Sequence, residues 1–135
     1  MQLPLKKEEF LKICAWKTPR SQTWCDQNEE NVIKEVSSIA YETNSELVRI
    51  YTWTALKGVQ WPTASVFLHF LFIDKYPILD FRALWSLGET APHEYSFLLW
   101  LKYVEACRDI AQKSKVTMRE LDQALWKYSQ INQDN

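Results

Sequence analysis

The residues of this chain best suited to chemistry lie in 55–88, ALKGVQWPTASVFLHFLFIDKYPILDFRALWSLG. Residues 56–64 leave room only for a very short connection between two helices. A connection that short gathers the N–H groups of the turn with those that open the second helix. Unpaired N–H groups and the positive end of a helix dipole both favour an anion. Such a turn can hold a phosphate, with Lys57 adding charge, although most αα-hairpins of this kind only pack. Further on, Asp80 stands directly before a short helical pattern, FRALWSL. Aspartate is a preferred residue at a helix start, worth about 1 kcal/mol as a cap. A carboxylate at the same place can also act as acid, base or electrostatic group. The two roles are compatible.

Other polar side chains have plainer readings. His69 falls mid-helix among Val66, Phe70 and Ile73, as a packed histidine does, and His93 beside Pro92 reads as surface. Lys17 and Arg20, in WKTPR, offer phosphate contacts or surface ion pairs. Arg82 has the same two options. Cys14, Cys25 and Cys107 are odd in number, widely spaced and form no C-x-x-C pair. That pattern suits free thiols in a reducing cytosol, with no metal and no cofactor expected. No P-loop, GxGxxG or Ser/His/Asp arrangement is present.

These groups must be carried by helices. The chain has 135 residues, the size of one domain, with 47% apolar and 24% charged residues, near soluble averages. Its 2 glycines compare with about nine at average usage, which disfavours the many tight turns of an all-β fold. Seven tryptophans load the core and its boundary. A net charge of −1 gives no global attraction for nucleic acid or an anionic membrane, so DNA binding would need a local patch. MQLPLKKEEF lacks the apolar core of a signal peptide. The apolar run at 66–73 falls far short of the roughly 20 residues a span requires. A cytoplasmic protein with no membrane partner is expected.

Apolar spacing predicts helices over 6–16, 29–42, from Thr43 to about Lys57, over 62–73, from Asp80 to Gly88, from Pro92 to about Lys113, and from Thr117 onward. Residues 18–28 read as a loop. Thr43/Glu46 and Thr117/Glu120 have capping-box spacing. Gly58 and Gly88 are helix stops. Pro62 is harmless in a first turn. The 62–73 helix, apolar nearly all round, belongs in the core. The expectation is a single all-α domain of about seven helices over 1–135.

The 45–73 segment resembles the helix-hairpin-helix motif of DNA glycosylases, whose turn usually reads L-x-G-V-G-x-x-T-A. Leu56, Gly58, Val59, Thr63 and Ala64 match it. In that superfamily a proline-containing loop leads to a catalytic Asp at the next helix start. YPILDFRAL supplies Pro77 and Asp80 within 74–88, and the distance from Gly58 to Asp80 fits without a gap. WKTPR, YPILDFRALW and LDQALWKYS are similar to segments of small bacterial members of unassigned activity. The resemblance implies a shortened glycosylase-like helical core.

It also implies DNA as partner. Lys57, Gly58, Val59, Gln60 and Thr63 would face phosphate at the hairpin. Asp80 would serve hydrolysis of the N-glycosidic bond of a modified or mismatched base. Trp61, Tyr76, Phe81 and Trp85 would contribute to a base pocket, and Lys17, Arg20 and Arg82 to phosphate contacts. Two departures matter. Gln60 replaces the second hairpin glycine, where a Cβ obstructs backbone approach. Pro62 stands where bifunctional members carry a Schiff-base lysine, and a proline has no amine nucleophile. The activity implied is therefore monofunctional. A non-catalytic DNA- or protein-binding module on the same scaffold is the alternative.

Overall fold

Eight α-helices and two short 3-10 turns, with no strand, form the computed structural model over the described residues, 1–133. The all-α expectation holds. None of these helices is long and apolar enough to cross a membrane. The chain divides into two compact units at Leu71/Phe72.

The first unit comprises α1 (Lys7–Lys17), a 3-10 turn (Pro19–Ser21), α2 (Gln22–Cys25), α3 (Glu30–Glu42), α4 (Glu46–Tyr51), a 3-10 turn (Thr52–Ala55) and α5 (Trp61–Leu71). Its core is a stack of three aromatic rings. Phe67 of α5 lies between Trp53, at 4.5 Å and 5°, and Phe10 of α1, at 5.5 Å and 8°. All three are fully buried. Aromatic pairs add about 0.5–1.5 kcal/mol to what burial itself supplies. The all-round apolar character of α5 matches its position: Thr63 to His69 are buried without interruption. Arg49 closes the corner between α3 and α4, donating from Nε to Ala40 O at 2.9 Å while Nη1 meets Glu46 Oε1 at 2.6 Å.

The second unit comprises α6 (Phe81–Ser86), α7 (Phe97–Ser114) and α8 (Met118–Asn132), preceded by an irregular segment from Phe72. Side chains tie that segment down. Asp74, at φ +59°, accepts from Met118 N at 2.7 Å, so it helps to satisfy the open N–H groups at the start of α8. Tyr103 of α7 donates its phenol to Ile78 O at 2.6 Å. Ser86 of α6 reaches Leu125 O on α8 at 2.5 Å. α7 ends with Lys115 in the left-handed region, φ +57°, where Val116 N bonds back to Ala111 O at 3.0 Å.

Several boundaries differ from the expected ones. The eighth helix is α2, inside the stretch expected to be a loop. Ser45 caps α4, its hydroxyl accepting from Val48 N at 3.1 Å. Thr43 ends α3 instead and accepts from Ser45 N at 3.1 Å. The first hairpin helix does not run to Lys57; it tightens into the 3-10 turn after Tyr51. The second spans Trp61–Leu71, where 62–73 was expected. Pro92 opens no helix, because Ser96 is the cap, accepting from Leu99 N at 3.1 Å. The Thr117/Glu120 box is present in both directions, and Gly88, at φ +86°, closes α6 as expected.

Candidate functional site

In the first unit the hairpin turn is built around Gly58, whose φ of +79° suits glycine. A second reason for glycine is space. A Cβ at this position would lie 2.7 Å from Cys25 Sγ, 3.1 Å from Cys25 N and 3.2 Å from Trp24 Cβ. The turn therefore sits directly on α2. Asn28 latches it there: Nδ2 donates to Lys57 O at 2.9 Å and to Cys25 O at 3.0 Å, and Oδ1 accepts from Lys57 N at 2.8 Å. Val59 N turns back to Leu56 O at 3.3 Å. The first N–H of α5 to bond back is Ala64's, to Gln60 O at 2.8 Å. The Trp61 and Thr63 N–H groups ahead of it stand outside the helical ladder.

The side chains around this turn divide by exposure. Lys57 and Gln60 are exposed, whereas Val59, Trp61 and Thr63 are buried. Trp61 meets Tyr51 edge-on at 4.9 Å. Arg20 is exposed and Lys17 half-buried. Cys14 and Cys25 are both free and fully buried. Burial pushes the Cys14 thiol well above its ordinary range, and its neighbour Cys25 raises it further. That is the behaviour of a structural thiol.

In the second unit Asp80 is the N-cap of α6. Its backbone is extended and Oδ1 accepts from Ala83 N at 2.8 Å. The side chain is half-buried, not enclosed. Two tyrosines feel its charge. Burial, then Asp80, raises the phenol of Tyr95. Tyr103 is raised well above the ordinary range by burial first, then by Cys107, Asp80 and Asp122. Tyr103 also lines a cavity of about 420 Å³ between α6 and α7, walled by Leu84, Leu87, Leu98 and Leu99, with Glu89 and Lys102 among its polar groups. That volume is in the range of small-molecule sites.

Comparison with protein-family models, curated proteins and solved structures gives no match.

The remaining residues singled out from the sequence fall in two places in the second unit. Tyr76 is in the core, its ring parallel to Trp100 at 6.2 Å and under the Arg108 guanidinium at 5.0 Å. Phe81, Arg82 and Trp85 belong to the surface where α6 meets α8. Arg82 lies 5.3 Å from the Phe81 ring centroid and 5.5 Å from that of Trp126, and Trp85 packs on Tyr128 at 5.9 Å. Sequence reasoning missed Asn28, Tyr95 and Tyr103. Each acts across a long stretch of chain or from an irregular segment, where helical spacing carries no signal. No group of three His, Cys, Asp or Glu side chains able to hold a metal occurs among the described residues.

Proposed function

We propose that this protein is a helix-hairpin-helix DNA-glycosylase-like protein, acting monofunctionally on the N-glycosidic bond of a modified or mismatched base. The observation that carries this reading is Asp80. Its carboxylate is oriented by the Ala83 N–H and stays half-exposed, and its charge adds to burial in raising the phenols of Tyr95 and Tyr103, the latter of which borders a 420 Å³ cavity. In hydrolysis the bond from the anomeric carbon to the base nitrogen breaks and positive charge develops on the sugar. Asp80 stabilises that charge and orients a water. The water oxygen bonds to the anomeric carbon, and its proton passes to the departing base through solvent or a neighbouring acid. An extruded base needs a pocket of apolar and aromatic character. Lys57 and Gln60, exposed on the turn, are the groups available to the phosphate backbone.

Asp80→Asn tests the mechanism cleanly, because asparagine caps a helix about as well as aspartate. Wild-type protein should release base from damaged duplexes. The variant should keep its fold and lose release by about a hundredfold or more. Undiminished release in the variant would overturn the role of Asp80.

A second reading is a non-catalytic binding module on the same scaffold. The Asn28–Lys57 latch and the seating of Gly58 on Cys25 favour it, since they account for the turn's glycine through internal packing. A mobility shift on duplex DNA that weakens steeply with salt, without base release, would support this reading.

A further inference from the structure

We propose that the cavity between α6 and α7 is a binding site for a free α-amino acid with a large apolar side chain. Its volume of about 420 Å³ is walled by Leu84, Leu87, Leu98 and Leu99, with Ala106 beside them. Leu84 is buried, whereas Leu98 is left 62% exposed. The cavity thus joins the core of the second unit to apolar surface that water still reaches. An aliphatic or aromatic side chain seated there would cover that surface, as in most small-molecule sites.

The polar part of the lining selects the class of ligand. Four lining residues carry polar side chains: Glu89, Ser96, Lys102 and Tyr103. The fold already uses two of them. Ser96 caps α7, its hydroxyl accepting from Leu99 N at 3.1 Å, and Tyr103 donates its phenol to Ile78 O at 2.6 Å. The other two, Glu89 and Lys102, are exposed and opposite in sign. Among the described residues neither makes an ion pair or a side-chain hydrogen bond, and they do not pair with each other. A fatty acid would answer Lys102 but add a second carboxylate beside Glu89. An alkylamine would do the reverse, and a neutral apolar molecule would answer neither. An α-amino acid carries an ammonium and a carboxylate on one carbon. It can answer Glu89 with the first and Lys102 with the second, in charge-assisted hydrogen bonds, while its side chain enters the leucine-walled space. Such binding does not require Asp80 to act as a catalyst.

The test is a calorimetric titration of the full-length protein with L-phenylalanine at low salt. Saturable binding is expected. N-acetyl-L-phenylalanine has no ammonium and L-phenylalaninamide no carboxylate; each should bind about tenfold more weakly. Variants should reproduce these losses selectively. Glu89→Gln should weaken L-phenylalanine about tenfold and leave its N-acetyl derivative unchanged. Lys102→Met should do the same with respect to the amide. Ala106→Trp, which fills the cavity from an exposed helical position, should abolish binding. Far-ultraviolet dichroism checks folding; should a variant unfold, the blocked derivatives still decide, because they are titrated into wild-type protein. No saturable binding of L-phenylalanine at millimolar concentration overturns the proposal. So does equal affinity for the blocked derivatives. Octanoate binding as tightly as L-phenylalanine would assign the cavity to a fatty acid, and adenine doing so would assign it to a nucleobase; either result likewise overturns the proposal.

Discussion

Asn28 grips Lys57 by both backbone polar groups at once, donating to its carbonyl at 2.9 Å and accepting from its N–H at 2.8 Å. The amide side chain thus does for the hairpin turn what a neighbouring strand does for a β-ladder. Asn28 is buried, so its loss leaves polar groups short of partners where water reaches them poorly. Asn28→Ala should lower unfolding stability by about 1–3 kcal/mol, read as a drop in urea midpoint at unchanged slope.

The two glycines should respond differently to alanine. Gly88 has nothing within 4 Å of an added Cβ, so only its positive φ is strained. That costs about 1 kcal/mol. At Gly58 the added methyl also meets Cys25 backbone and sulfur, and the loss should exceed that at Gly88 clearly. Equal midpoints for the two variants would show that α2 yields to the methyl.

Lys115 closes α7 in the left-handed conformation without being glycine. Lys115→Gly should stabilise the chain by about 0.5–1 kcal/mol, the backbone strain relieved less the entropy glycine loses. Thermal unfolding would report it as a rise in Tm.

Asp80 separates capping from charge. Asp80→Ala should cost about 1 kcal/mol and Asp80→Asn only a few tenths. A large loss in the asparagine variant would mean that the carboxylate stabilises the second unit beyond its cap.

Alkaline pH should weaken the second unit. Burial, foremost, pushes the Cys107 thiol from 9.0 to about 12, and Tyr103 moves up as well. An acid whose folded pKa exceeds its unfolded one stays protonated in the native state while the unfolded chain ionises. Its stabilising contribution is whole below about pH 9 and is lost between there and about pH 12. Cys107→Ala should flatten that decline in urea midpoints taken from pH 8 upward.

The helical class and most element positions were legible because apolar spacing and capping chemistry are local. Thr117 and Glu120 stand three apart and close a reciprocal box on one turn of backbone. Asp80 and Gly88 delimit α6 for equally local reasons. Thr43 misled because two hydroxyl residues compete near one helix start, and the chain must extend past α3 before α4 can begin. Pro92 misled because proline tolerates a first turn without compelling one. The Asn28 latch joins residues 29 apart in sequence, and the Tyr95 and Tyr103 environment of Asp80 arises from tertiary packing. Neither leaves a periodic trace. Gly58 is legible as a turn residue from its sequence, but its contact with Cys25 arises only when α2 packs against the turn.

The stacked rings at Trp53 and Trp100 also make the protein its own optical instrument. Each unit holds one fully buried tryptophan, lying parallel to an aromatic neighbour: Phe67 for Trp53, Tyr76 for Trp100. Rigid parallel chromophores give near-ultraviolet dichroism that solvent-exposed indoles lack. Trp53→Phe and Trp100→Phe would each erase one band. Melting followed at the two bands would then time the loss of order in each half of the chain without a foreign label.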